Sequence, residues 1–148
     1  MSRSTVEAEQ RAVPMISYEN VAEAIDWLSK AFGFREKGGE RYTEPDGTVS
    51  HAELELDGAV VMLGWPGPAY RSPPRHQEVC EYAREWLSVP HGVDGSLVYV
   101  DDVDLHYEQA RSAGAEILLE LRDEPYGRGY NAADAEGHRW MFLQAPAG

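Results

Sequence analysis

The stretch "ENVAEAIDWLSKAFGF", residues 19–34, has the pattern of one amphipathic helix with both of its ends marked. Asn20 suits a helix N-cap, because its side-chain oxygen can accept a hydrogen bond from a free backbone N–H group. Gly33 suits the left-handed position that follows a helix. Between them, apolar side chains recur at helical spacing, at Val21, Ala24, Ile25, Leu28 and Phe32. The sequence therefore predicts a helix that buries one apolar stripe.

A second copy of this pattern follows in "VDLHYEQARSAGA", residues 103–115. Asp102 stands where a cap is needed, at an offset of 82 residues from Asn20. Gly114 follows the second helix, at an offset of 81 residues from Gly33. The two helices therefore correspond from end to end, which indicates an internal repeat.

The strands around the helices repeat in the same order. A short strand-like run precedes each helix, at 13–17 and at 95–102. Three more runs follow each helix, and the last two are separated by turns at Gly58 and Gly137, which are 79 residues apart. We therefore predict an α+β fold made of two tandem βαβββ modules.

The chain of 148 residues has the length of one domain. Residues 1–12 are polar and are expected to form a flexible lead, and residues 13–148 to form one domain. Within that domain we place module one at 13–64 and module two at 95–144. The intervening segment, 65–94, is rich in Pro and Gly and is predicted to be a connector with a short helix inside it.

The net charge of −13 argues against nucleic acid and anionic membranes as partners. No apolar run approaches the roughly 20 residues that cross a bilayer. The single cysteine, Cys80, excludes an intrachain disulfide framework and fits a reducing compartment. We therefore expect a cytoplasmic protein, with a neutral or cationic small molecule as its easier partner.

Three stretches resemble the vicinal oxygen chelate superfamily, which includes glyoxalase I, bleomycin-resistance proteins and extradiol dioxygenases. They are "NVAEAIDWLSKAFGF" (20–34), "YVDDVDLHYEQARSAGAEI" (99–117) and "EPYGRGYNAADAEGHRW" (124–140). The last is the most specific, although Ala135 stands where the family usually has proline. The resemblance covers 13–144 and is closest to the glyoxalase-like bacterial branch of unassigned activity. It implies mixed sheets that curl around a cup, helices on the convex side, and a homodimer.

The resemblance also implies where a metal would bind. Metalloenzymes of the superfamily carry His, Glu or Gln on the first and last strands of each module, facing the cup. Counting from the helices and the turn glycines places these positions at Val13, Met62, Gly95 and Met141. None of these residues supplies the imidazole or carboxylate that a divalent metal of this kind needs. We therefore predict no metal site at these positions and no cofactor.

Strand alternation around these positions predicts the lining of the cup. The candidate ligand-binding residues are Met15, His51, Glu53, Met62, Trp65, Tyr99, Tyr130 and Met141. Further apolar lining is expected from Leu97 and Leu143, with Ser17 at the mouth. Trp140 and Phe142 alternate with Met141 and should face the helices. Such a lining, largely apolar with a few polar groups, is typical of a small-molecule site.

Several polar residues admit more than one role. In "HAELE" (51–55), His51 and Glu53 share one strand face, so they can contact a ligand or form a solvated rim. Tyr130 corresponds to His51 at the offset of 79 and is expected to lie opposite it. His106 is expected on a helix surface, and His138 in a structural contact with backbone carbonyls.

Two function classes follow from these residues. The first is a metal-independent small-molecule-binding protein, as bleomycin-resistance proteins are, which sequesters a drug or a metabolite. The second is a glyoxalase-like lyase or isomerase, or a dioxygenase, that uses a non-standard metal through His51 and Glu53 or no metal at all. The absence of ligands at the four family positions favours the first class, and no catalytic residue is assigned.

Overall fold

The computed structural model describes residues 10–38, 41–88 and 95–147. The elements of module one are β1 (Met15–Ser17), α1 (Val21–Phe32), β2 (Arg35–Glu36), β3 (Tyr42–Thr43), β4 (Val49–Leu56) and β5 (Ala59–Gly64). The connector contains α2 (Pro73–Gln77) and α3 (Glu81–Leu87). The elements of module two are β6 (Ser96–Tyr99), α4 (Val103–Ser112), β7 (Glu116–Glu124), β8 (Gly127–Ala133) and β9 (Arg139–Gln144).

Each module has one mixed sheet, which confirms the predicted α+β class and the βαβββ repeat. The strand order is β1-β5-β4-β2 in module one, where β3 also pairs with β4, and β6-β9-β8-β7 in module two. The first strand of each module runs parallel to the last, and the other neighbours are antiparallel. Module one differs in one respect, because the strand after its helix is split into two short pieces, β2 and β3.

The helices begin and end where their caps were predicted. The Asn20 side chain accepts a hydrogen bond from the Glu23 backbone N–H at 3.0 Å, and Asp102 accepts one from Leu105 at 3.1 Å. Gly33 closes α1 with φ of 78°, a conformation that side chains disfavour.

One hydrophobic core lies between the two sheets and their helices. The predicted stripe of α1 is buried, and Phe32 at its end is 0% exposed. The Phe32 ring packs edge-on against Phe142 of module two, at 4.7 Å between ring centres. The Trp140 ring lies 5.9 Å from Phe32 and is also buried. The modules therefore share a core, and Trp140 and Phe142 face the helices as predicted.

The lead and the connector are described in part. Residues 1–9 of the predicted flexible lead lie outside the described residues, as do connector residues 89–94. Gln10 is anchored, because its side-chain amide exchanges two hydrogen bonds with the backbone of Val60, at 2.8 and 2.9 Å. None of the helices within the described ranges is long and apolar enough to cross a bilayer.

Candidate ligand-binding face

The face of each sheet that points away from α1 and α4, called here the helix-free face, carries the methionines of the predicted cup. In module one Met62 lies between Met15 on β1 and Glu53 on β4, in one row across the sheet. Residues directly opposite each other on paired strands share a face. In module two the corresponding row is Leu97, Met141 and Asn131.

This register corrects two of the four positions that were counted from the sequence. Met15, rather than Val13, lies beside Met62, and Leu97, rather than Gly95, lies beside Met141. Both corrections move the position two residues along its strand, so the side chains still share the predicted face. The corrected set is one leucine and three methionines, and these side chains do not fit a hard or borderline divalent metal.

Much of the helix-free face is open and apolar. Met15 is 80% exposed, Leu97 48% and Tyr99 58%, whereas Met62 and Met141 are half-buried. Leu143 shares the face with Tyr99 but is buried against Gly129. Neighbouring exposed apolar groups on one face, such as Leu97 and Tyr99 on β6, typically mark a binding surface.

A cavity lies where the first strands of the two modules approach each other. Its volume is about 420 Å3, and its lining includes Met15 and Ser17 of module one with Gly95, Ser96 and Arg139 of module two. Met15 and Ser17 therefore share this depression with residues of module two.

His51 and Glu53 both lie on the helix-free face, as their spacing predicts. His51 is paired with Gly64, and its ring lies 5.7 Å from that of Tyr42, a residue that the sequence reasoning had not singled out. Glu53 is only 7% exposed. Within the described ranges no group of three or more His, Cys, Asp or Glu side chains is placed to hold a metal ion.

Tyr130 lies elsewhere, and the prediction that it lines the cup opposite His51 is wrong. It is 0% exposed and pairs with Phe142 on the helix side of the sheet. Glu53 and its partner Met62 are 9 positions apart, whereas Asn131 and its partner Met141 are 10 apart, so the offset of 79 does not hold for β8. A shift by one residue moves a side chain to the opposite face, and Asn131 takes the helix-free position instead.

His106 is also misplaced by the sequence prediction, since it is buried rather than on a helix surface. It is 8% exposed, and its Nδ1 lies 2.6 Å from the Tyr130 hydroxyl. Its Nε2 lies 2.7 Å from the Phe32 carbonyl oxygen of module one. Burial lowers the pKa of His106 and raises the pKa of Tyr130. His106 therefore joins the two modules inside the core.

Trp65 lies on the helix side as well, which corrects its predicted place in the cup. Its side chain packs on the hydrophobic core and lines a separate cavity of about 600 Å3 at the start of α1. Connector residues Tyr70, Arg71 and Arg75 line the same cavity, and burial raises the pKa of Tyr70 to about 12. Arg75 is already ion-paired with Glu19.

The "DAEGH" turn, the most specific part of the family-like motif, holds the modules together. The Asp134 carboxylate accepts hydrogen bonds from the Tyr18 hydroxyl at 2.6 Å and from the Trp140 indole at 3.0 Å. Burial and the neighbouring Asp134 raise the pKa of Tyr18. The Nε2 atom of His138 lies 2.6 Å from the Ser17 carbonyl oxygen, as its predicted structural role requires. Glu136 accepts hydrogen bonds from the backbone N–H groups at the start of α1.

Comparison with known proteins agrees with this architecture. Residues 12–142 match the model of the Glyoxalase/Bleomycin resistance protein/Dioxygenase superfamily. An uncharacterized protein of Mycobacterium tuberculosis (strain H37Rv) is 31% identical over 144 residues, which cover 94% of this chain and 76% of that protein. An uncharacterized protein of Mycobacterium bovis has the same identity, with 86% of its length covered.

Solved structures show the same fold. The crystal structure of TioX from Micromonospora sp. ML1 is similar at a TM-score of 0.65 and 32% identity, covering 94% of this chain and 98% of that one. TnmS3, an antibiotic binding protein from Streptomyces sp. CB03234, has a TM-score of 0.60 at 18% identity, with coverage of 91% and 96%. The matched model spans both modules, and the observed strand order repeats in each of them. The chain therefore belongs to the Glyoxalase/Bleomycin resistance protein/Dioxygenase superfamily.

Proposed function

We propose that this chain is a metal-independent small-molecule-binding protein that sequesters a drug or a metabolite on its helix-free face. The observation that carries the proposal is the set of exposed apolar side chains on the helix-free faces of the two sheets, Met15 beside the half-buried Met62, and Leu97 and Tyr99 near the half-buried Met141. Methionine side chains are flexible and polarizable, so such a surface adapts to guests of irregular shape. Tyr99 adds an aromatic face on which a planar guest can stack.

The comparisons support this class of function in a limited way. TnmS3 is described as an antibiotic binding protein, and at 18% identity its likeness to this chain concerns the fold alone. What favours binding without metal in this chain is its own residues, because Met15, Met62, Leu97 and Met141 are poor ligands for zinc, nickel, manganese or iron(II).

The test uses the neutral aromatic alcohol 1-naphthylmethanol as a probe and calorimetry as the readout. Replacing Met62 or Met141 by Glu introduces a charged group into the contact surface, so we expect the affinity to fall about tenfold or more. Leu105→Glu is the matched control, because Leu105 is 69% exposed on α4, away from this face. If the alcohol binds equally well to all three variants, it binds elsewhere and the assigned face is wrong.

The alternative function is that of an enzyme, a glyoxalase-like lyase or isomerase or a dioxygenase. One observation favours it, since His51 and Glu53 share the helix-free face and can provide two metal ligands or a general base. Metal analysis of the purified protein separates the two functions. If the purified protein holds one transition-metal ion per chain, and both His51→Ala and Glu53→Gln lose that ion, the enzyme function is supported. If the wild-type protein binds no zinc after dialysis to equilibrium against zinc, the metal-independent binding function is favoured.

We further propose a cytoplasmic homodimer in which residues 13–148 act as one domain. Exposed apolar side chains on the connector support association, namely Val79 at 83%, Tyr82 at 69% and Trp86 at 56% exposure. Isolated monomers rarely leave such clusters in water. The acidic net charge of −13 and the single cysteine support the cytoplasmic location.

A further inference from the structure

Glu53 is the one residue of the helix-free row in module one that carries a charge. It is 7% exposed, and within the described ranges its carboxylate makes no hydrogen bond or ion pair. Its backbone carbonyl accepts a hydrogen bond from the Lys37 N–H at 2.9 Å, which leaves the side-chain carboxylate uninvolved. A carboxylate that is largely removed from water without a partner is costly, and protein folds normally avoid it.

The Glu53 side chain nevertheless belongs to the helix-free face, on which it lies beside Met62. Among the described residues no side-chain nitrogen or oxygen is both fully buried and without a partner, so the Glu53 oxygens keep some contact with solvent. Glu53 lies directly beside Met62, and Met15 follows in the same row. A guest that rests on these methionines can therefore reach the carboxylate.

A comparison with Glu55 and with the equivalent residue of module two shows that the lack of a partner is specific to Glu53 among these residues. Glu55, two residues along β4 on the same face, is paired with Arg35 at 3.1 Å. In module two the equivalent position is Asn131, whose side-chain oxygen accepts a hydrogen bond from Arg122 at 3.0 Å. Of these three polar side chains, Glu55 and Asn131 have partners, whereas the Glu53 carboxylate has none among the described residues.

We propose that Glu53 is the counter-ion for a cationic guest, an organic ammonium or guanidinium compound with an apolar body. The inference rests on the proposed binding function and names the class of ligand. The cationic group pairs with Glu53, and the apolar body covers Met62 and Met15. Tyr42, 65% exposed and paired with His51 on the adjacent strand, offers an aromatic ring to the same cation.

The test compares two probes of nearly equal size, 1-naphthylmethylammonium and neutral 1-naphthylmethanol, by calorimetry. We expect the wild-type protein to bind the ammonium compound about 10- to 100-fold more tightly, because a charge-assisted hydrogen bond forms only with the cation. Glu53→Gln should abolish this preference, because the glutamine amide has no charge to pair with the ammonium group. Glu55→Gln removes the same charge from the same face and should keep the preference.

A second measurement needs no ligand. Because the Glu53 carboxylate has no partner among the described residues, Glu53→Gln should raise Tm by about 2–4 °C. If Glu53→Gln and Lys37→Met instead lower Tm by the same amount, Lys37 neutralises the Glu53 carboxylate within the protein. That result would overturn the inference.

The possible failures can be told apart. If the wild-type protein binds the alcohol but shows no preference for the ammonium compound, the counter-ion role is wrong and the binding face remains. If Glu55→Gln loses the preference as fully as Glu53→Gln, the overall negative charge attracts the cation and Glu53 has no special role. If neither probe binds, the proposed function itself fails.

Discussion

At the scale of single residues, His106 shows how one buried side chain links the modules. The Phe32 carbonyl oxygen can only accept, so the Nε2 atom of His106 must donate to it. The Nδ1 atom then accepts from the Tyr130 hydroxyl, and the ring is neutral. A proton on Nδ1 would remove this acceptor inside the core. Burial therefore lowers the pKa of His106 below its ordinary value.

This pKa makes the stability of the fold depend on pH. The unfolded chain takes up a proton near pH 6.5, about the ordinary value for His, whereas the folded chain takes it up only at lower pH. The stabilising contribution is therefore complete above about pH 6.5 and is lost as the pH falls toward the folded-state pKa. We expect His106→Ala to cost about 1–3 kcal/mol at pH 7.5, since it leaves Phe32 and Tyr130 without a partner.

Urea unfolding at pH 7.5 and pH 5.0 checks this expectation. The free energy of unfolding should fall less between the two pH values in His106→Ala than in the wild type. His76→Ala is the control, because His76 is exposed on α2, and it should keep the wild-type pH profile. An unchanged profile in His106→Ala would contradict the role assigned to this ring.

At the scale of elements, the close contact between β8 and β9 requires glycine at position 129. A Cβ atom at Gly129 would lie 2.6 Å from the Phe142 carbonyl oxygen and 3.0 Å from a Leu143 methyl group. The first contact is with backbone, which cannot rotate away. Gly64 offers a comparison on β5, because its nearest contact would be the Ser50 carbonyl oxygen at an ordinary 3.9 Å.

We therefore expect Gly129→Ala to destabilise the protein by about 1–3 kcal/mol, through a forced shift of β9. Gly64→Ala should change the free energy of unfolding by less than about 1 kcal/mol. Thermal or urea unfolding of the two variants measures the difference. Equal stabilities would mean that β8 and β9 can separate without cost, contrary to the packing of Leu143.

At the scale of the whole molecule, the exposed apolar surface predicts association. The connector leaves Tyr82 and Trp86 largely in water, and the helix-free face leaves Met15 and Tyr99 there. We expect sedimentation at micromolar concentration to give twice the chain mass of 16.5 kDa. A monomer that persists over this range would contradict the homodimer.

The sequence alone determined the repeat, the two helices with their caps, and the α+β class, because these depend on local spacing and turn chemistry. It also placed Met62 and Met141 on one face and Trp140 on the other, since alternation along a continuous strand needs no partner. Predictions that counted residues across a turn, from one strand to the next, were less accurate. One extra residue between the paired positions of β8 and β9 was enough to exchange Tyr130 for Asn131.

The tertiary structure decided what depends on contacts between distant residues. His106 became a core residue only because the two modules pack their helix sides together, which brings it to the Phe32 carbonyl oxygen. The difference between Glu53, which has no partner in the described part of the chain, and the ion-paired Glu55 likewise appears only in the folded structure, since nothing in "HAELE" distinguishes the two. Burial and pairing are properties of the assembled fold, and they separate two acids that are identical in sequence pattern.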